Sequence, residues 1–434
     1  MRPSKLFIRV LWAWMLLGVA AAFVPLLENV WLIVSVMLGC LTLIDILWLL
    51  GKSRVDLTRN LPTRLALGQS QDVEITLHNR HPAPIKLEVF DGLPLTITSD
   101  QLPWSGTVPA KGYARIHYQL KPLERGPQTL TPAHVLRYSV FRLWQRSLYL
   151  GGSEEVKVYP NFEPVIRFNL LSMENRADQM GIISRNLAGV SKEFHQLRDY
   201  QEGDAISQID WKATSRRASL ISREYQQQRD QIIIFAVDCG RRMRAMDGDL
   251  SQFDHSLNAI LLLAQMALRQ GDSVGILGFG GTNRWLPPVK GGHMMPTLLN
   301  HLYDYQTSTE PTDFAEAVER LMVRQKRRAM IVFLTNLRSE DSTHLVAPLQ
   351  QLRKKHLVLL ASLREKSVSD ILNKEVATLD EALTCAATHL YLEERSALLA
   401  KLNSQRIKIV DATAEQLPIE LVNRYLEIKK EGQL

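Results

Sequence analysis

Cysteine is scarce in this chain: Cys40, Cys239 and Cys385 are the only three, and they lie far apart. That spacing excludes a disulfide framework and a cysteine-based zinc site. It also fits a reducing compartment for the soluble part. Neither G-x-G-x-x-G nor G-x-x-x-x-G-K-[ST] occurs at a strand–helix junction, which argues against the two common phosphate cradles. Aromatic residues make up 7%, and no basic block or basic–aromatic interleaving accompanies the net charge of +7, so nothing points to nucleic acid. A mean hydropathy of −0.09 is too low for a polytopic transporter. The 46% hydrophobic and 22% charged content is that of a folded chain, not a disordered or collagenous one. At roughly 150 residues per domain, 434 residues suggest about three units.

The apolar residues are concentrated at the start. Val10–Leu27 is an 18-residue run without charge, and Val30–Leu50 is a 21-residue run whose single ionisable group is Asp45. Each is long enough to cross about 30 Å of hydrocarbon as a helix. Only Glu28 and Asn29 separate them, so they read as a transmembrane hairpin within residues 1–54. Arg2, Lys5 and Arg9 precede the first run, and Lys52, Arg54, Arg59 and Arg64 follow the second, while the connector has no Lys or Arg. The positive-inside rule then places both flanks, and everything after Gly51, on the cytoplasmic side. The expected location is a cytoplasmic membrane, multi-pass, with cytosolic soluble domains. Ala20-Ala21-Ala22 also resembles a signal-peptide cleavage site. Asp45 reads as a carboxylate reaching the headgroups from the end of its span, with a functional contact as the alternative.

Residues 55–165 alternate apolar and polar in Asp72–His78, Lys86–Phe90, Ala114–Leu120 and Glu155–Tyr159, with turn formers such as Asp91-Gly92 and Gly151-Gly152 between the runs. This predicts a β-sandwich. His78, His81, His117 and His134 lack metal-ligand spacing and read as strand or turn residues.

From Gln231 to Leu434 the pattern becomes α/β. Gln231–Asp238 is a continuous apolar run ending in an acid, as in a parallel strand buried on both faces. Helical and strand patterns then alternate: strands at Ser273–Gly280, Ala329–Thr335, His356–Leu363 and Arg406–Val410, and helices around Phe253–Leu268, Met294–Tyr303, Phe314–Val323, Leu345–Lys355, Leu379–Leu402 and Ala414–Lys430. The expected fold is a doubly wound parallel sheet. Its site should lie at the carboxyl ends of the strands, at Asp238–Met243, Gly280–Asn283, the loop before Phe314, and Thr335–Arg338.

Between these halves, in residues 166–230, Lys192–Asp230 reads KEFHQLRDYQEGDAISQIDWKATSRRASLISREYQQQRD. Arg198, Tyr200, Gly203, Asp204, Ile209, Asp210, Trp211, Lys212, Arg216, Arg223 and Glu224 closely resemble the hallmark of the bacterial family called domain of unknown function 58. The resemblance is strong over Val156–Leu277 and agrees in layout elsewhere. It implies a von Willebrand factor A-like domain in the C-terminal half. It also implies a membrane-anchored partner of a MoxR-type AAA+ ATPase.

Gly203-Asp204 reads as a turn into a helix over Ala205–Ser215, with Asp204 as N-cap. Arg216 and Arg217 would then sit at the helix C-terminus, where the dipole favours cations. Two readings of the hallmark stand side by side. In one, Arg198, Asp204, Asp210, Lys212, Arg216 and Glu224 form an ion-pair network that clamps two domains together. In the other they form a recognition patch. Catalysis by His195, Asp199, Asp204 or Asp210 is the third reading, and it lacks nucleophile–base spacing.

The A-domain resemblance implies a Mg²⁺ site made of D-x-S-x-S, a Thr and a later Asp. This sequence keeps Asp238, places Gly240 and Arg242 where the serines belong, can put Thr312 on the Thr position, and has Asn336 in place of the Asp. Two hydroxyls and a carboxylate are missing, and a guanidinium is added. Mg²⁺ requires hard oxygen ligands in near-octahedral geometry, so the expectation is a degenerate site without stable Mg²⁺ and no other cofactor. Arg242 would satisfy Asp238 in the metal's place. Thr312 reads as a helix N-cap, and Cys239 as a small packed residue.

The expected function is that of a non-enzymatic membrane adaptor or scaffold whose A-like domain binds a MoxR-type ATPase or its client. The alternatives are a metal-dependent ligand-binding or hydrolytic protein using the hallmark acids, and a purely structural scaffold without an ATPase.

Overall fold

The computed structural model describes the chain except for Pro25 and residues 52–54, 168–192, 202–205, 207–208, 227–229, 339 and 341; the side chains of Leu26 and of residues 193–196, 223–226 and 342–343 also lie outside the description. Two compact units are present, Met1–Val158 and Tyr159–Leu434.

The first unit begins with the short strand β1 (Arg2–Pro3) and the helices α1 (Lys5–Phe23) and α2 (Leu26–Leu50), of 19 and 25 residues. Both helices are long and apolar enough to cross a membrane. Their bounds differ from those of the charge-free runs because lipid compatibility and helix capping are separate signals. Ser4 caps α1 by accepting from the Phe7 N–H, and Val24, which precedes a proline, leaves the helical region. Glu28, expected in the connector, lies in the first turn of α2, where the positive end of the helix dipole favours an acid. On the facing sides Trp14 stacks on Trp31 at 5.5 Å and donates to Ser35 Oγ.

Among the described residues eleven strands belong to this part, the rest being β2 (Val55–Asn60), β3 (Arg64–Ala66), β4 (Gln71–Asn79), β5 (Ile85–Gly92), β6 (Ile97–Thr98), β7 (Trp104–Val108), β8 (Tyr113–Pro122), β9 (Gly126–Tyr138), β10 (Trp144–Leu150) and β11 (Glu154–Tyr159). They form a four-stranded sheet in the order β2-β4-β8-β6 and a seven-stranded sheet centred on β9. The pairs along β2-β4-β8-β6 and those joining β1, β5, β7, β10 and β11 into the β9-centred sheet are antiparallel. Alternation fixes which side chains are inside: Val73, Ile75 and Leu77 of β4 are buried, as are Ile85, Leu87 and Val89 of β5. Arg59 pairs with Asp91, which also accepts from the Tyr118 hydroxyl. Burial beside this carboxylate pushes the Tyr118 phenol far above its usual range.

The second unit contains the ribbon β12 (Glu193–Asp199) and β13 (Ile221–Gln226), with helix α3 (Trp211–Arg217) between them. Next come β14 (Ile232–Asp238), the small pair β15 (Met246–Asp247) and β16 (Leu250–Ser251), α4 (Gln252–Arg269), β17 (Ser273–Phe279), β18 (Trp285–Lys290), α5 (Met295–Leu302) and α6 (Phe314–Arg324). β19 (Met330–Thr335), α7 (Ser342–Arg353), β20 (Leu357–Arg364), α8 (Lys366–Asn373), α9 (Leu379–Ser404), β21 (Lys408–Thr413) and α10 (Leu417–Lys430) complete it.

Its main sheet has the order β18-β17-β14-β19-β20-β21, parallel except for β18. The two faces of β14 supply two cores. Ile233, Phe235 and Val237 pack with α4, α5 and α10, while Ile234 and Ala236 pack with α6, α7 and α9. A strand covered on both faces has no polar position to spare, which is why Ile232–Val237 is uninterrupted hydrophobe. The helix expected over Ala205–Ser215 starts later. Asp210, not Asp204, is the N-cap, its Oδ1 accepting from the Lys212 and Ala213 amides, and Ile209 forms a bridge with Ser222. Asp204 lies outside the described residues. β18 was not expected. It carries Pro287 and Pro288 at the sheet margin, where a missing N–H is tolerated.

Candidate functional site

The carboxyl ends of β14, β17 and β19 converge on Asp238. This side chain is fully buried, and three donors hold it. Its Oδ1 accepts from the Gly240 amide at 2.8 Å and from Thr312 Oγ1 at 2.7 Å, and its Oδ2 accepts from Thr335 Oγ1 at 2.6 Å. Burial pushes the Asp238 carboxyl up, opposed by the Thr335, Gly240 and Thr312 hydrogen bonds and, more weakly, by the charge of Arg242.

Two sequence expectations change here. Thr312 is not a helix cap: Asp313 caps α6 by accepting from the Glu316 amide, which leaves the Thr312 hydroxyl free to reach Asp238. Nor does Arg242 act as the hydrogen-bond substitute for a cation. Its Nη2 pairs with Glu340 at 3.2 Å, and the two threonine hydroxyls do the capping instead. Toward Asp238, Arg242 acts through its charge.

Gly240 is required by close approach. A Cβ there would lie 2.3 Å from Thr312 Oγ1 and 2.9 Å from Asp238 Oδ1. Its φ of −74° is open to any residue, so the constraint is purely steric. Gly280 closes the other side, with a φ of +76° and Asp238 Oδ1 3.2 Å from where its Cβ would be. Ser308 ties the loops together, donating its amide to the Cys239 carbonyl and its hydroxyl to the Gly280 carbonyl, both at 2.7 Å. Cys239 is fully buried, its Sγ turned to the Val237 carbonyl, as expected of a packed residue.

Asn336 follows β19 and faces away from this cluster's donors. Its Nδ2 donates to Gln252 Oε1 at 2.8 Å and Glu365 Oε1 at 2.9 Å. The sequence offered no hint of Gln252, Glu365 or Arg395. Arg395 is almost fully buried on α9 and donates to Ser362 Oγ and Asp411 Oδ1, both at 2.6 Å, and to the Leu337 and Leu363 carbonyls. It thereby joins the carboxyl ends of β19, β20 and β21. Arginine on a long helix at i,i+4 to Tyr391 looks like a surface residue until the sheet order is known.

The hallmark residues are distributed over the β12–β13 ribbon and α3. Arg198 donates to the Asp199 carbonyl, the Tyr200 amide donates to the Leu220 carbonyl, and Lys212 and Arg216 are exposed. Trp211 is 64% exposed and Ile206 73% exposed. Arg223 and Glu224 lie in register with Leu197 and Gln196, but their side chains, like Gly203 and Asp204, are outside the described residues. Among the described residues no group of three or more His, Cys, Asp or Glu side chains converges to hold a metal.

Asp45 also departs from expectation. It is buried against the turn between β9 and β10 and accepts from Ser139 Oγ at 2.5 Å and from the Phe141 and Leu143 amides at 3.1 and 3.2 Å.

Residues 196–390 match the family described as protein of unknown function DUF58. The chain is similar to the uncharacterized protein YeaD of Bacillus subtilis (strain 168), with 23% identity over 302 residues that cover 65% of this chain and 70% of that protein. Solved structures are more distant. A fragment of native alpha-2-macroglobulin from Escherichia coli has a TM-score of 0.22 and 14% identity over 25% of this chain. A Salmonella alpha-2-macroglobulin has a TM-score of 0.19 and 14% identity over 24% of this chain. The chain spans 17% and 7% of the lengths of those two proteins.

Proposed function

We propose that the chain is a membrane-anchored, non-enzymatic adaptor. In this reading α1 and α2 span the cytoplasmic membrane as a hairpin, the strands of the first unit form a sandwich, and the second unit is a von Willebrand factor A-like module presenting its surface to a protein partner on the cytoplasmic side. The partner class, implied by the family resemblance, is a MoxR-type AAA+ ATPase.

The observation that carries this reading is the closure of the Asp238 site by the protein's own donors. A divalent ion would need the carboxylate oxygens that Gly240, Thr312 and Thr335 already occupy. The first missing serine cannot be accommodated at Gly240 without displacing Thr312, and the charge of Arg242 opposes a cation. Magnesium therefore has no place in the proposal, and no reaction step is routed through the site. A carboxylate held this way organises three loops, which is a binding-surface role.

The test uses the full chain in lipid nanodiscs mixed with a MoxR-type ATPase and ATP. Co-sedimentation of the ATPase with the discs is the expected result. Absence of binding, or calorimetric Mg²⁺ or Mn²⁺ binding lost in Asp238→Ala, would overturn the adaptor or the metal-free reading respectively.

A further inference from the structure

We infer that the β9–β10 hairpin tip, Val140-Phe141, is buried in the cytoplasmic leaflet as a third, non-spanning membrane contact. This rests on the membrane-spanning reading of α1 and α2 proposed above.

The contacts between the hairpin and α2 run in a definite order. Arg146 Nη1 donates to the Leu49 carbonyl at 3.3 Å. The Arg137 guanidinium lies over the Trp48 ring at 4.4 Å. Nearer the tip, Ser139, Phe141 and Leu143 all bond to Asp45. Moving along the hairpin toward its turn therefore means moving back along α2, away from its carboxyl end. Leu50 lies five positions beyond Asp45, so at about 1.5 Å per residue the tip reaches a level about 7.5 Å along α2 from its end.

The lengths place that level in the bilayer. α2 has 25 residues, and a helix of about 20 residues already crosses about 30 Å of hydrocarbon. Counting about 20 residues from Leu26 arrives at Asp45, at the hydrocarbon boundary. α1 gives the same level independently. Its cap, Ser4, donates its amide to the Leu143 carbonyl at 2.8 Å, β1 pairs with Trp144 and Gln145, and Phe7 packs on Trp144 at 5.3 Å.

The chemistry of the tip suits that position. Val140 and Phe141 are 57% and 48% exposed, although both are apolar. Part of the turn's backbone is satisfied internally: the Ser139 amide donates to the Trp144 carbonyl, the Arg142 amide to the Ser139 carbonyl, and the Arg142 carbonyl accepts from the Ser4 hydroxyl. Asp45 supplies the acceptor for two further amides that lipid could not satisfy. Arg142, exposed in the same turn, and the half-buried Arg146 farther along β10 are of the type that favours the headgroup layer. An intramembrane acid usually marks an ion or proton path. Here it is spent on holding a protein loop at membrane depth.

The experiment uses the full chain with Cys40, Cys239 and Cys385 replaced by alanine, carrying one new cysteine labelled with an environment-sensitive fluorophore, in phosphatidylcholine–phosphatidylglycerol vesicles. Four positions are compared: Val140→Cys, Phe141→Cys, Tyr149→Cys farther along β10, and Met15→Cys in the middle of α1. With nitroxide lipids labelled in the upper acyl chain, emission at 140 and 141 should fall about two-fold or more, while emission at 149 stays unchanged, as expected for an apolar face resting at the acyl boundary. Nitroxides placed deep in the acyl chain should quench position 15. If 140 and 141 are unquenched while 15 is quenched, the anchor stands and the insertion of the tip is wrong. If 15 is also unquenched, the spanning reading fails and the insertion fails with it.

Discussion

Replacing Gly240 by alanine is the sharpest test of the Asp238 cluster. The added methyl would sit 2.3 Å from Thr312 Oγ1, so the threonine must swing its hydroxyl away from Asp238 Oδ1. The backbone itself is not strained, because φ is −74°. The cost has two parts: loss of a hydrogen bond to a buried acid, about 1.5–3 kcal/mol, and overpacking, about 1–3 kcal/mol. Hydrogen exchange of the β14 amides in the detergent-solubilised full chain reads the opening of this sheet directly. At a factor of ten per 1.4 kcal/mol, Gly240→Ala should speed their exchange by about 10²–10⁴-fold. Thr312→Ala removes the hydrogen bond and the nearer obstacle, leaving Asp238 Oδ1 at 2.9 Å. Adding Gly240→Ala to it should therefore cost less than in the parent chain, by about 1 kcal/mol or more, as expected when two changes act on one contact. Equal, additive costs in the two backgrounds would refute the steric argument.

Further outcomes follow from other parts of the structure. His356 is buried, with no hydrogen-bond partner on either ring nitrogen among the described residues, and burial first, then Lys355, pushes its pKa down to about 4. The unfolded chain takes up that proton first, so the second unit should lose stability as pH falls from about 6.5 toward 4; His356→Phe should flatten this slope in denaturation curves at several pH values. Arg395→Ala should cost about 3 kcal/mol or more in β20 and β21 exchange, because it strands Asp411, Ser362 and two carbonyls. Asp45→Ala leaves the Phe141 and Leu143 amides without their acceptor, while the Ser139 hydroxyl keeps the Trp144 carbonyl, so exchange at those two amides should rise about ten-fold or more while β4 and β8 are unaffected.

The strands and helices of the second unit were legible because a sheet covered on both faces leaves an unambiguous mark: a run of hydrophobes ending in an acid, then a helical stripe. Ile232–Asp238, Met330–Thr335 and Phe314–Arg324 fall within a residue of their expected bounds. The convergence of Asp238, Gly240, Thr312 and Thr335 was also legible, since each lies at the carboxyl end of a strand or in a loop beside one. The donor assignments were not. Whether Thr312 caps a helix or an acid depends on where Asp313 falls relative to α6, a matter of one residue. Asp45 was misread because its partners are about ninety residues later, in a hairpin whose long strand β9 showed too little alternation to be picked out. Arg395 was invisible for the same reason: its partners come from three different strands, and local pattern carries no record of strand order.

The margin formed by β18 has a meaning beyond its own sheet. Molecules confined to a surface collide with their own kind far more often than molecules in bulk solution, and an open backbone ladder invites them to stack. Two of the six residues on that strand are prolines and offer no N–H to a newcomer. The sheet is thereby discouraged from growing sideways into a filament, and crowding alone should not cause neighbouring copies to adhere along this border.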